Sequence, residues 1–383
     1  MSDPAPTDTP VGRRHRLRAT AGRPLAEQPG VGHNRWHPDI APVVEIDPGD
    51  VVVVDTLDAL DAQITPKSTA ADVAALDASR VHPLTGPILV CGARPGDMLA
   101  IDILDVDPGP WGYTAVPPGL GFLGTEFTEP FLAHWDIADG WASSPQVPGV
   151  RVPVAPFPGT VGVAPSPDQL LAWTARELGG GTPGPLTTGA IPPGGAAARA
   201  GLRTLPPREN GGNLDIRQLT TGATLLLPVA VDGALLSIGD AHAAQGDGEV
   251  CLTAVETTAT CTVRITVRPG AAERLGAWWP MVERRGVAPP SPAPGDGRFI
   301  ATTGMPVDAT GTARPGDLNL AAANALRHLI ALLGERGYRR EQAYVISSVA
   351  ADLRISSVVN LPNVVVSAML PELLFDPPPP SGP

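Results

Sequence analysis

A mainly β protein with an α+β C-terminal region is the fold class this sequence predicts, on three observations. Its 43 glycines and 46 prolines interrupt the chain too often for a helical bundle. Its apolar residues come in short runs set apart by turn sequences such as Pro48-Gly49-Asp50 and Pro95-Gly96-Asp97. Only late in the chain does a helical repeat dominate, through Leu318, Leu320, Leu326, Leu329, Ile330 and Leu333, closed by Gly334.

Taken in order, residues 1–30 are polar, Pro-rich and without period, and read as a disordered arm. An N-terminal β domain follows over 31–155. Its first strands are 43–46 and 51–54, the acidic, Ala-rich stretch 58–80 is a surface helix or excursion, and 87–91 and 98–106 are further strands. A central β region over 156–268 starts with a helix over 166–179, with Ser166 at its N-cap and Pro167 at its first position. After a Gly/Pro/Thr/Ala-rich connector (180–208) come strands at 224–227 and 235–238 and a β-pair of 250–255 with 260–267. Residues 269–370 form the α+β region, with helices over 318–333 and 340–351, and 371–383 is a Pro-rich tail.

The charge balance narrows the function. With 27 basic and 39 acidic residues, net −12, the chain lacks the clustered cations that nucleic-acid binding requires. No apolar run reaches the roughly 18 residues of a membrane span, and no signal peptide is visible, so a soluble cytoplasmic protein is expected. Cys91, Cys251 and Cys261 each lie in or beside an apolar run and read as buried free thiols. The single lysine, Lys67, stands in a polar stretch between motifs, which argues against Schiff-base chemistry, lysine-assisted amide hydrolysis and a Walker phosphate loop.

The densest polar stretch is Gly239-Asp240-Ala241-His242-Ala243-Ala244-Gln245-Gly246-Asp247-Gly248-Glu249, placed between apolar runs. Asp240 and His242 are two positions apart, so on extended backbone they share a face, and Glu249 can return from the following segment. Two carboxylates and an imidazole suit an open catalytic Zn²⁺ site. The same residues also suit a calcium-binding turn, or a hairpin loop whose side chains cap backbone groups. A second stretch, Asn210-Gly211-Gly212-Asn213-Leu214-Asp215, puts Asn213 and Asp215 on one face, able to hold an amide or to orient a ligand. A plain turn before a strand is the alternative. A third, His33-Asn34-Arg35-Trp36-His37-Pro38, has two histidines at i and i+4, but Pro38 argues against a helix there.

These stretches together resemble the acetamidase/formamidase family. The resemblance rests on His33-Asn34-Arg35-Trp36, His82-Pro83-Leu84-Thr85-Gly86-Pro87, Pro95-Gly96-Asp97, His134-Trp135-Asp136, Pro148-Gly149-Val150-Arg151-Val152-Pro153, Gly211-Gly212-Asn213-Leu214-Asp215, the 239–249 stretch and Asp352-Leu353-Arg354-Ile355. They stand in family order and cover about residues 33–370. The resemblance implies β-sandwich and barrel-like N-terminal and central parts, a homo-oligomer of two or more chains, bound zinc or calcium, and hydrolysis of a small neutral amide such as formamide or acetamide, or of a γ-lactam.

Carried over by position, His33, Asp215, Asp240, His242 and Glu249 are the first site residues, with Asn213, Gln245 and Glu126 behind them. The expected chemistry is metal-assisted hydrolysis. His242, Asp240 and His33 hold the metal, Glu249 serves as general base or further ligand, and Asp215 positions His242 or the amide nitrogen. A catalytically silent scaffold binding Ca²⁺ is the competing expectation. Two departures from the family pattern stand out: Ala241 occupies a position where members often have Cys, and residues 165–206 form an enlarged stretch.

Overall fold

A computed structural model describes residues 12–180, 188–286 and 298–375; the proline run 377–380 lies outside them. Fifteen strands join into one large, mostly antiparallel sheet whose spine is Met98–Val116 against Glu256–Arg268. The second of these strands alternates as a sheet with one wet face should, with Cys261, Val263 and Ile265 buried and Thr262 and Arg264 outward. Val51–Thr56 extends the spine on its other side, and Arg14–Leu17 runs parallel to that strand as an edge.

This edge strand corrects the expected loose arm. Asp50 accepts the Arg13 N–H at 2.7 Å and binds His15 at 2.8 Å. Leu25 is buried, its N–H donated to Asp61 at 2.6 Å. The sequence Arg-His-Arg-Leu has no apolar alternation, so only its partners define it as a strand.

Ile46, Val54, Ile88, Leu99, Phe157, Leu225 and Val263 share one core, so the sheet curls round its own apolar face. The strand pairings nevertheless branch without closing into a ring. Among the described residues neither a closed barrel nor a sandwich is found, which corrects that part of the expectation. The curl has a local cause. The spine carries register shifts between Thr257 and Ala259 and between Thr262 and Val263, and such bulges bend and twist a strand.

The C-terminal region keeps its expected character. Phe299–Gly304, Val365–Pro371 and Asp352–Ser357 form a three-stranded antiparallel sheet that packs with helices Leu318–Glu335 and Arg340–Ala350. Asp317 caps the first helix by accepting the Leu320 N–H at 2.9 Å. Its buried face holds Leu326, Leu329, Ile330 and Leu333, each contributing roughly 1.5–3 kcal/mol by leaving water. Leu374 and Phe375 are buried in the same core, so the chain stays structured past 371, where a tail was expected. No helix among the described residues is long and apolar enough to cross a membrane.

The second helix positions the polar motif. Residues 250–255, expected as a strand, form a loop fastened to it. The Tyr344 hydroxyl accepts the Leu123 N–H at 2.8 Å and donates to the Val250 carbonyl. Ser348 Oγ accepts the Cys251 N–H at 3.1 Å and donates to the Thr253 carbonyl at 2.8 Å. A Cβ at Gly246 would stand 2.1 Å from the Ala351 carbonyl oxygen, so glycine is what lets the loop lie on the helix end. Tyr344→Phe strands the buried Leu123 N–H, while the Val250 carbonyl keeps only the Phe122 N–H at 2.8 Å. It is expected to cost about 1–3 kcal/mol, read as a lower urea midpoint at unchanged m-value. A native midpoint would show that the hydroxyl does not hold the loop.

Candidate active site

Leu236–His242, the strand that delivers the motif, is buried at every residue. It pairs with Phe157–Gly162 and with Leu84–Val90, while His242 stands opposite Glu256 at the head of Glu256–Arg268. Three backbones therefore converge on its end. Asp240, Asp215 and Glu249 all sit in the left-handed region, with φ of 56°, 49° and 43°. That conformation is uncommon for residues other than glycine, and it turns each carboxylate out of the pleat.

His242 is the hub. Its Nε2 lies 3.2 Å from Asp240 Oδ1, 3.2 Å from Glu256 Oε2 and 4.0 Å from Glu249 Oε1. Its Nδ1 lies 2.8 Å from Gln245 Oε1, and Gln245 Nε2 donates to the Asp215 carbonyl at 2.8 Å. An amide whose nitrogen is already donating presents its oxygen to the ring. Nδ1 must then carry the proton, which leaves Nε2 as the atom facing the carboxylates. Potential ligand atoms gather in two groups, Asp215–Asp240–His242 and His242–Glu249–Glu256, each with its atoms within 4.8 Å of one another.

Asp240 is held from its other side as well. Its Oδ2 receives the Thr160 hydroxyl at 3.0 Å and lies 4.0 Å from His82 Nε2. Thr160 also lies 2.7 Å from Asn213 Oδ1, which ties the strap bearing Asp215 to the same point. Gly159 leaves room for all of this, since a Cβ there would stand 2.8 Å from both Asp215 Oδ1 and His242 Cε1.

Burial sets the electrostatics. Asp215 is brought up to about 7 by desolvation, opposed by His242 and reinforced by Asp240 and Glu256. Glu256 likewise rises to about 7, chiefly by burial against the pull of His242. Burial and then the neighbouring Asp215 carry Glu249 well above the usual carboxylate range. For Asp240 desolvation acts upward too, but His242 and His82 outweigh it and hold the group low. Burial would lower His242, yet Glu256 and Asp240 keep it well above an ordinary imidazole.

Without a cation, the stable arrangement is an Asp240–His242 ion pair among carboxyls that retain protons. Asp215 Oδ1 and Glu256 Oε2 are buried without a hydrogen bond, the latter because one Nε2–H cannot point at two acceptors. Two orphaned carboxyl oxygens, a shared imidazole nitrogen and the space at Gly159 fit a divalent cation.

Of the residues expected from sequence, Asp215, Asp240, His242 and Glu249 meet here, with Asn213 and Gln245 bracing them. His33 does not join them. It stands outside both ligand groups, with Nε2 2.7 Å from Ser237 Oγ and its ring edge-on to Trp36, and burial pushes it down to about 4. Glu126 is also elsewhere, paired with Arg327 at 2.8 Å and Arg340 at 3.3 Å on the C-terminal helices. Glu256, His82 and Thr160 were missed. A carboxylate opening a long alternating strand was the available signal for Glu256, and His82 before Pro83 reads as a turn.

A model of the Acetamidase/Formamidase family matches residues 19–377. The chain is 34% identical over 375 residues to a formamidase of Methylophilus methylotrophus, covering 91% of each protein. It is 36% identical over 353 residues to an acetamidase of Mycolicibacterium smegmatis, covering 84% of this chain and 86% of the other. Among solved structures it is similar to a gamma lactamase from Delftia acidovorans, with a TM-score of 0.89 at 32% identity over 94% of this chain and 93% of that one. Likeness across nearly the whole length, joined to a buried carboxylate–imidazole cluster, makes this chain an amide hydrolase belonging to the acetamidase/formamidase family.

Proposed function

We propose that this enzyme cleaves the C–N bond of a small neutral amide, formamide or acetamide, to the carboxylate and ammonia. The observation that carries this reading is the gathering of Asp215, Asp240, Glu249 and Glu256 round one imidazole, with two of their oxygens buried and unpartnered. Zn²⁺, with Ca²⁺ as the alternative, supplies a Lewis acid for the carbonyl and a lowered pKa for water when bound there. A compact set that includes an imidazole suits Zn²⁺ better, since Ca²⁺ takes six to eight oxygens.

Asp240, His242 and Glu256 hold the cation, with Glu256 in the place expected of His33. Gln245 keeps His242 in the tautomer that leaves Nε2 free, and Thr160 with Asn213 steadies Asp240. Glu249 is the base. Its side chain is 15% exposed against 2% for Asp240 and Glu256, so it meets incoming water. It takes a proton from that water as the oxygen bonds to the carbonyl carbon. It then passes the proton to nitrogen as the C–N bond breaks, because an amine leaves only when protonated. Asp215 positions the amide NH₂. A neutral substrate needs no electrostatic lure, so a net charge of −12 is no obstacle. The reading also includes a homo-oligomer that acts without nucleic acid.

The similarity to a gamma lactamase favours a second reading, in which the same groups open a cyclic amide. Ammonia release from formamide, acetamide and propionamide, set beside ring opening of a bicyclic γ-lactam, separates the two. Turnover of neither class by the zinc-loaded enzyme would refute both.

Three outcomes are expected at the site. Exhaustive chelation abolishes ammonia release, and Zn²⁺ restores it better than Ca²⁺ as followed by metal analysis and assay; full activity in the chelated protein refutes the cation. Glu249→Gln retains metal and loses turnover about 10²–10⁴-fold, the usual worth of a general base; loss of metal instead would make Glu249 a ligand. Gly159→Ala keeps its circular dichroism but loses stoichiometric metal, because its methyl group occupies space between Asp215 and His242.

A further inference from the structure

Asp215 and Glu249 arrive from distant parts of the chain, one in each ligand group, and are only half buried where Asp240, His242 and Glu256 are buried. They are the lips of the site. Neither lies in a strand, and both are at positive φ, so local backbone preference does not hold them in place.

One carboxylate reaches both segments. Asp352 opens the C-terminal strand Asp352–Ser357, and its Oδ1 accepts from the Arg217 guanidinium and, at 3.2 Å, from the Asp247 N–H. Arg217 is two residues beyond Asp215, and Asp247 is two residues before Glu249. The Leu353 N–H donates to the Asp247 carbonyl at 3.0 Å, and Gln218 Nε2 reaches Asp247 Oδ1 at 3.3 Å, which closes the ring of contacts. Arg354 lies 3.4 Å from Asp352 Oδ2. The Arg217 and Asp352 side chains are 21% and 17% exposed, sheltered enough for their charges to be felt.

We propose that Asp352 is a positioning residue that sets, through Arg217 and the Asp247 N–H, the separation of Asp215 and Glu249 across the cation site. The inference rests on the metal-site reading above. It gives the C-terminal sheet a part in the site to which it contributes no ligand, and it accounts for the Asp352-Leu353-Arg354-Ile355 motif.

The test is Co²⁺ titration of the metal-free native protein and of Asp352→Ala and Asp352→Asn. Visible ligand-field bands and competition with a chromophoric chelator are the readouts, with melting temperatures of the metal-free proteins recorded alongside. Asp352→Ala is expected to weaken Co²⁺ binding about 10–100-fold and to alter the bands. Asp352→Asn keeps an acceptor for the Asp247 N–H but loses the charge for Arg217, and falls between. Exchanging the pair, Arg217→Asp with Asp352→Arg, regains part of the affinity. A lower melting temperature with native bands and native affinity makes Asp352 merely structural and overturns the inference. Should Asp352→Ala fail to fold, Arg217→Ala carries the same comparison. A native protein that takes up no Co²⁺ defeats the metal-site reading itself, a different result from native uptake unaffected by these substitutions.

Discussion

Four carboxylates crowded round one imidazole, where water is nearly excluded, are the constraint on which the rest of this structure turns. Charges of one sign repel strongly at low dielectric, and each loses its hydration on burial. His242 neutralises one of them. The others must keep protons, which is why Asp215 and Glu256 stand near 7, or must share a divalent cation. A fold that maintains this crowding resists its own electrostatics, so the groups around the cluster have to be held rigidly.

Rigidity comes from two directions. The sheet fixes His242, Asp240 and Glu256 through the registers His242–Glu256 and His242–Phe157 at one end of a wholly buried strand. The C-terminal helix Arg340–Ala350 fixes the loop beyond them through Tyr344, Ser348 and the close approach of Gly246. Left-handed backbone at three of the four carboxylates costs free energy that neither element would accept alone. The described residues of the 165–206 stretch join this frame. Leu202–Arg203 pairs with Arg35–Trp36, and Thr204 Oγ both accepts the His82 N–H at 2.6 Å and donates to its carbonyl at 3.1 Å. One contact with the site thus runs through His82, which lies 4.0 Å from Asp240 Oδ2.

Much of this was legible because it was local. The C-terminal helices announced themselves by apolar spacing and Asp240–His242 by their separation of two. What failed was what depends on pairing over distance. Arg14–Leu17 has no alternation of its own and becomes a strand only against Val51–Thr56. Glu256 is fourteen residues from His242 and meets it only because their strands lie side by side. His33 shows the converse case: it is a fitting residue type in a motif segment, yet its register opposite Leu84 directs it to Ser237. Sandwich and barrel likewise came from likeness alone, and the bulges that curl the sheet while leaving it open carry no clear mark in the sequence.

The alanine at position 241 can be weighed on the same terms. Asp240 stands at φ 56°, so simple alternation of faces does not by itself place the side chain between it and His242. Its surroundings do place it: Ala241 is fully buried in the sheet core that also holds Phe157, Ile238 and Val161. A cysteine there would place its sulfur among those apolar groups, where burial raises a thiol's pKa and suppresses the thiolate, as it does at Cys261, pushed up to about 12. The difference between Ala and Cys at this position is therefore one of core volume, and it meets the site through Phe157, whose ring stands edge-on to His242 at 5.1 Å.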